Sequence, residues 1–415
     1  MNEKNKAEIG SKSSDETQGG RMMKKRIRYG SVFGVLMLFS FLWAVTVSAD
    51  VNVQCPGDTN GDGISEDPNI VCRHITGGDG YSKMADGLDL YFFSFGNADG
   101  VPPAEVIADL TLKAELPAPT IELKQGQELY LTMTNVGMVV RPDLFDPHSV
   151  HWHGFPNAAP IFDGLPEPSP SANMGNSFTY YYNAVVPGTY FYHCHVEAAE
   201  HMQMGMIGNL WVTPAQDGMA IGGFTKFAYN DGDGSTGYDV AYPLLLTGFD
   251  SFFHIASDTV QALPFAGMFD EYPMINGRGY PDTINPNNIV NQDGFAAQKI
   301  CSLITATAGQ RILLRVCNIS TTHQYTFATT LGVPMKVVAR GAALLRGPDG
   351  KDTSMTVNVL NVGGGQDYDV ILDTTGVEPG TYFLYTTDLT NLSNGEQERG
   401  GIMTEIVIAP LNDPA

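Results

Sequence analysis

Apolar positions along this chain recur in short alternating runs, not in helical stripes. Ile121-Glu122-Leu123-Lys124 alternates before the turn Gln125-Gly126-Gln127, and an apolar strand then runs to Asn135-Val136. Ile304-Thr305-Ala306-Thr307 does the same before Gly309-Gln310, and leads to Asn318-Ile319. Pro187-Gly188-Thr189-Tyr190-Phe191 returns as Pro379-Gly380-Thr381-Tyr382-Phe383. Each half closes on a strand that ends in Pro, Asn209 to Pro214 and Thr404 to Pro410. Successive strand side chains point to opposite faces, so this period predicts half-buried strands between Gly, Pro and Asn turns. The repetition predicts two β-sandwiches built alike.

One stretch breaks the alternation. Val32 to Val47 is predominantly apolar, follows Lys24-Lys25-Arg26-Ile27-Arg28, and ends in Val47-Ser48-Ala49. That is the pattern of an export signal with Met22 or Met23 as the start, or of an N-terminal anchor with a cytoplasmic tail. It implies a periplasmic or extracellular protein.

Composition refines the picture. Charged residues are only 16% of the 415, while Gly (46) and Pro (25) are plentiful, which suits strands and loops. The first 49 residues hold eight Lys/Arg and four Asp/Glu, leaving 23 − 8 = 15 basic and 45 − 4 = 41 acidic residues, a net of −26. Such a surface repels nucleic acid and anionic lipid and favours neutral or cationic partners; solubility alone would also account for it.

The chemistry is concentrated in two runs. His193-Cys194-His195 is followed by His201 and Gly205-Met206; upstream lies His148-Ser149-Val150-His151-Trp152-His153-Gly154. Together they hold six of nine histidines. Two imidazoles and a thiolate with a weak thioether are the ligands of a blue copper site. On a strand, His193 and His195 share one face and Cys194 takes the other, so neighbouring residues reach two different sites. We assign the blue site to His148, Cys194, His201 and axial Met206. His151, His153, His193 and His195 form a second copper cluster. Met202 and Met204 are read as core packing around the metal.

These motifs resemble the multicopper oxidases, the laccase and ceruloplasmin family. Their first pattern, His-x-x-His-x-His-Gly, is met by His148, His151, His153 and Gly154. Their second is met by His193, Cys194, His195, His201, Gly205 and Met206, with two extra residues between His195 and His201. Phe162-Asp163-Gly164-Leu165-Pro166 and Ser177-Phe178-Thr179-Tyr180 also look like laccase segments. The resemblance runs from about residue 88 to the end and implies an all-β fold of two cupredoxin-like Greek-key domains. Copper nitrite reductases, a sister family, lack copper-ligating histidines at the positions of His151 and His195.

The organisation expected is a signal or anchor (1–49), a segment with a disulfide and a candidate calcium loop (50–87), a copper domain (88–216), a linker (217–240) and a copper-free domain (241–412). Domain two is read as copper-free because Tyr385, Thr386 and Thr387 stand where the first half has His193, Cys194 and His195. Cys194 being taken by copper, the other four cysteines fall into local pairs, Cys55–Cys72 and Cys301–Cys317. Asp58, Asn60 and Asp62, with Gly63 in sixth place, have the opening of a calcium loop, but position 12 is Asn69.

The family's trinuclear cluster uses eight imidazoles in four His-x-His pairs. This chain has two such pairs, and even with His74, His254 and His323 the count reaches seven. The leading expectation is therefore an exported copper oxidase. It would take electrons from a small molecule, a metal ion or a donor protein and reduce dioxygen at a cluster completed by a second subunit, so that the protein is a homo-oligomer. Two alternatives stand: a blue-copper electron carrier, and a nitrite-reductase-like enzyme with His323 as a candidate ligand.

Overall fold

The alternating segments fold as strands over residues 51–411, which the computed structural model describes. The export or anchor segment expected over residues 1–49 lies outside them. No helix among the described residues is long and apolar enough to cross a membrane. In the first domain the strands are β1 (Ile70–Lys83), β2 (Asp89–Asn97), β3 (Ala118–Lys124), β4 (Glu128–Gly137), β5 (His151–His153), β6 (Ser177–Asn183), β7 (Gly188–His193) and β8 (Ile207–Thr213). They form two sheets, ordered β2-β1-β4-β6 and β3-β8-β7-β5. Their inner faces enclose Ile121, Leu131, Met133, Trp152, Tyr180, Tyr182 and Leu210.

A short pair, β9 (Lys226–Phe227) and β10 (Gly237–Tyr238), precedes the second domain. There β11 (Val240–Phe249), β12 (Tyr272–Ile275), β13 (Ile304–Thr307), β14 (Arg311–Asn318), β15 (Tyr325–Thr329), β16 (Met335–Arg340), β17 (Ala343–Leu344), β18 (Met355–Val357), β19 (Leu360–Val362), β20 (Gln366–Asp373), β21 (Gly380–Thr386) and β22 (Met403–Ala409) make sheets ordered β12-β11-β14-β20-β16-β17 and β13-β22-β21-β15-β19. The sequence repeat is a topological repeat. β4 and β14 each pair in parallel with the strand that opens their domain and antiparallel with β6 or β20. β8 and β22 each take a parallel neighbour, β3 or β13, and an antiparallel one, β7 or β21. The repeat glycines Gly126 and Gly309 have φ of +92° and +90°, which explains why both turns carry Gly.

Three expectations change. The sheet of the copper domain begins at β1, inside the segment read as a separate 50–87 region. β1 runs in parallel with β4, and its middle is buried on both faces and broken by Gly77, Gly78 and Gly80, so no alternation marks it. The stretch read as a linker is not a tether: Tyr229 is buried and its hydroxyl donates to Asp369 Oδ2 at 2.6 Å. The Cys301–Cys317 disulfide is not formed; both are free thiols, and Cys55–Cys72 is the bonded pair. The reason is topological. β13 and β14 are not a hairpin but enter different sheets, which carries the two cysteines apart. Cys317 Sγ lies 3.6 Å from the Tyr190 carbonyl, while Cys301 Sγ lies 3.6 Å from that of Thr283.

The two sandwiches share a core in which Phe92, Phe191 and Ile207 meet Leu245, Phe249, Met274 and Cys317. Beside it a polar clamp crosses the junction. Arg315 Nη1 donates to Thr189 Oγ1 at 2.9 Å and lies 3.5 Å from Asp369 Oδ1, to which Thr189 also donates. The ion pair is almost fully buried, yet each charge has further partners, the condition under which such a pair is tolerated.

Candidate metal centre

The edge of the β3-β8-β7-β5 sheet sets both groups of ligands. β5 pairs with β7, placing His151 opposite His193 and His153 opposite Phe191. Strand alternation then sends His151, His153 and His193 toward domain two and turns Cys194 into the core of domain one. Among the described residues, two sets of side chains bring ligand atoms within 4.8 Å of one another: His148, Cys194 and His201, and His151, His153 and His193.

The first set is fully buried. His201 Nδ1 lies 3.2 Å from Cys194 Sγ. Both ring nitrogens of His148 and Nε2 of His201 are buried without a partner. Buried polar atoms are nearly always paired, so orphaned nitrogens converging on a thiol are what a soft cation would satisfy. Burial holds the His148 imidazole well below its ordinary range and His201 at about 4, which keeps both neutral. Burial pushes the Cys194 thiol up to about 11, so the proton stays until a metal replaces it. Met206 is buried behind the site; its N–H donates to the His201 carbonyl, and its own carbonyl accepts from Cys194 N–H. The two extra residues after His195 fall beside a short helix, Ala198–Gln203, entered through Glu197 at φ +45°. Gly205 has φ +114°, and a Cβ there would lie 2.9 Å from Phe92. Met204 is core, as expected, while Met202 lines the neighbouring cleft.

The second set faces a cleft of about 450 Å³, walled by the four histidines, Met202 and, from domain two, Ile319, Ser320, Thr321, Gly364 and Gly365. His151 Nδ1 sits 2.6 Å from the Asp163 carbonyl and His193 Nδ1 2.9 Å from that of Cys194. A ring nitrogen facing a carbonyl must carry the hydrogen, so Nε2 is left as each ring's lone pair. His153 Nδ1 is 3.3 Å from His193 Nε2. Burial lowers His153 to about 4 and His193 to about 3, so these rings are neutral and free to ligate. His195 is not in the set whose ligand atoms fall within 4.8 Å, although its ring is as near as the others, 5.2 Å from His151 and 5.6 Å from His193 between centroids.

Several supporting residues were not singled out as site residues by the sequence. Phe93 packs edge-on against His201 with centroids 5.2 Å apart. Ser149 joins the two sites: its N–H donates to Cys194 Sγ at 3.4 Å, and its hydroxyl accepts from His195 N–H and donates to the Gly164 carbonyl. Phe191 stacks on His153 at 4.3 Å. Gly77 gives room for His148, since a Cβ there would lie 2.7 Å from the ring.

Other candidates fall away. His74 bonds Thr134, and His254 lies between the carbonyls of Tyr91 and Gln203. His323 is held by Asp270 at 3.5 Å and does not join the cleft wall. Asp58, Asn60 and Asp62 lie in a turn held by their own side chains. Asp58 accepts from the N–H groups of Gly61 and Gly63, Asn60 from Asp62, and Asp62 from Ile64.

Family models described as multicopper oxidase match residues 100–217 and 246–407, one on each sandwich. The chain is 34% identical over 91 residues to multicopper oxidase MmcO of Mycobacterium tuberculosis, covering 22% of this chain and 16% of that protein. It is 25% identical over 297 residues to laccase-1 of Melanocarpus albomyces, covering 70% and 39%. The chain thus spans well under half the length of these relatives. Blue copper oxidase from Nitrosomonas europaea superposes with a TM-score of 0.61 at 23% identity, covering 82% of this chain and 86% of that one. A copper nitrite reductase of the same organism gives 0.54 at 14%, covering 83% and 95%. These likenesses show the fold. With family matches on both halves and both histidine runs converging where the motifs demand, the chain belongs to the multicopper oxidases, whose cofactor is copper.

Proposed function

We propose that this protein is an exported copper oxidoreductase that withdraws single electrons from a reductant at the Cys194 site and delivers them to dioxygen at the histidine cleft. The observation that carries the reading is the placement of His193, Cys194 and His195: one tripeptide contributes to two adjacent groups of ligands. Copper would supply a one-electron acceptor at the first group and an oxygen-binding centre at the second. Cys194 Sγ with His148 and His201 would hold the first ion, and the buried Met206 beside them would offer a thioether. The backbone from Cys194 to His193 and His195 is then a covalent path of a few bonds. The Ser149 N–H withdraws charge from the sulfur, and the apolar shell excludes water; both tune the potential.

The cleft has four imidazoles, and its domain-two wall has none. Full reduction of dioxygen to water therefore calls on a second subunit, either another copy pairing its histidine face about a two-fold axis or a different copper-domain chain. The wall without imidazoles favours one second reading, a blue-copper electron carrier. Export is supported by the charged-then-apolar N-terminal pattern and by the Cys55–Cys72 disulfide.

Metal content and mass of the native assembly separate these readings. An oxidase binds copper at both groups and consumes oxygen only as an oligomer. A carrier shows the visible thiolate band and no oxygen uptake in any assembly. Loss of that band in Cys194→Ser is expected in either case, and its persistence would overturn the assignment.

A further inference from the structure

Three lone pairs of the histidine cleft converge on one point. His151 gives its Nδ1 hydrogen to the Asp163 carbonyl at 2.6 Å, and His193 gives its own to the Cys194 carbonyl at 2.9 Å. Each then presents Nε2. The backbone of Gly365, in domain two, hydrogen-bonds His153, and a Cβ built on Gly365 would lie 3.7 Å from His153 Nε2. His153 Nδ1 is thereby left for the cleft, 3.3 Å from His193 Nε2. Nitrogens about 2.0 Å from one ion in a trigonal plane stand roughly 3.5 Å apart, so this pair is spaced for a single ion. One ligand atom from each of the three rings lies within 4.8 Å of the others, and His195 is not in the set. Among the described residues no Asp or Glu lines the cleft, and the carboxylate behind it is Asp163, 3.4 Å from His151 Nδ1. One negative charge balances one positive charge, which favours a monovalent ion over a divalent one.

The cleft also has one soft donor. The helix Ala198–Gln203 lies in the stretch that two extra residues lengthen. Ala198, Ala199 and Met202 are spaced to share one helix face, and all three line the cleft. A long helical side chain lies over the turn before its own position. For Met202 that turn carries two alanines, which leave it room. Met202 packs against the core shared by the two sandwiches, and it is the one sulfur among the described residues that line the cleft.

We propose that the cleft of a single chain holds one cuprous ion, bound by His151 Nε2, His153 Nδ1, His193 Nε2 and the thioether of Met202. This rests on the reading that the cleft takes copper, and adds to it a fourth donor, a stoichiometry and an oxidation state. Three imidazoles alone suit zinc and cupric ions as well, whereas a thioether selects Cu(I). Met202 is therefore the residue that sets the preference. His195 lines the same cleft outside this set and is left for an ion shared with another subunit.

The test uses the full chain with carbon-13 in its methionine methyl groups. Cuprous ion buffered by bicinchoninate is titrated in without oxygen. The ion is diamagnetic, so methyl and histidine ring signals both report it by nuclear magnetic resonance. The methyl signal missing from Met202→Leu, a swap that keeps side-chain volume, identifies Met202. Expected is a shift of that signal that His193→Gln abolishes and Cys194→Ser leaves in place, with one ion for the cleft and one for the Cys194 site. Should His193→Gln fail to fold, His153→Gln reads the same dependence. In Met202→Leu the cuprous affinity read from the cleft's ring signals should fall about tenfold, while the cupric affinity stays unchanged. A third cuprous ion per chain, equal cuprous affinities, or ring signals that move while that of Met202 stays still would overturn this proposal alone. Ring signals that do not move at all would mean that the cleft takes no copper, which sinks the oxidase reading with it.

Discussion

Replacing Gly77 by Ala adds a single methyl group on β1, yet it should disturb the metal site. The added Cβ would stand 2.7 Å from His148 Cδ2 and 3.3 Å from Cγ, against ordinary contact beginning at 3.4 Å, so something must give by at least 3.4 − 2.7 = 0.7 Å. β1 is clamped between β2 and β4 and cannot retreat. The His148 ring is held by no hydrogen bond in the metal-free protein, so the ring gives way. Overpacking of this kind costs about 1–3 kcal/mol, and the displaced imidazole loses its alignment with Cys194 and His201. Gly80→Ala, three residues along, is the control. Its Cβ would meet nothing closer than 3.5 Å, and the lost backbone freedom of the unfolded chain makes it neutral or slightly stabilising. Thermal unfolding of the metal-free protein and the visible and paramagnetic resonance spectra of the copper-loaded one read both effects. A Gly77→Ala protein with the melting temperature and spectrum of the parent would refute the reasoning.

Three further outcomes are expected. Asp163→Ala removes the carboxylate that lies 3.4 Å from His151 Nδ1 and loosens the loop whose carbonyl fixes that ring; copper affinity at the cleft should fall about 10- to 100-fold while the visible band stays, as metal titration would show. Alkylation after denaturation without reductant should label Cys194, Cys301 and Cys317 and leave Cys55 and Cys72 unlabelled, as peptide mapping would reveal. Burial raises the Asp367 carboxyl to about 7, above its unfolded value near 3.8. Its contribution to stability is therefore full below pH 3.8 and is lost as pH rises through about 7. Asp367→Asn, which can still accept the Ala342 N–H at 2.8 Å, should flatten that decline in a pH series of denaturant midpoints; an unchanged slope would contradict the assignment.

Much of this was legible in the sequence, for identifiable reasons. The strand period placed His193 and His195 opposite Cys194, because side-chain alternation on a strand is a local property. The duplicated Gly-Gln turns and Gly-Thr-Tyr-Phe strands located both sandwiches, because each repeat brings its own turn geometry. What escaped was non-local. β1 lacks alternation since its middle is buried on both faces, and only its place beside β4 identifies it. The Cys301–Cys317 pairing failed because short sequence spacing suggested a hairpin, whereas the chain crosses between sheets at Gly309. Phe93 and Gly77 serve the metal site from strands far away in sequence, and nothing in their own neighbourhoods marks them; Ser149 lies inside the first histidine run, but only the fold shows its bonds to both sites.

The clamp of Arg315, Thr189 and Asp369 bears on the cleft in an entropic sense. It anchors β14 and β20 to β7. β14 ends at Asn318, just before the wall residues Ile319, Ser320 and Thr321, and β20 begins at Gln366, just after Gly364 and Gly365. The second sandwich thereby acts as a fixed jaw. A small molecule entering the cleft meets a wall already in position, and no free energy is spent on closing two domains around it. The second sandwich keeps no imidazole in the cleft, yet it contributes preorganisation to the ligands that the first sandwich places there.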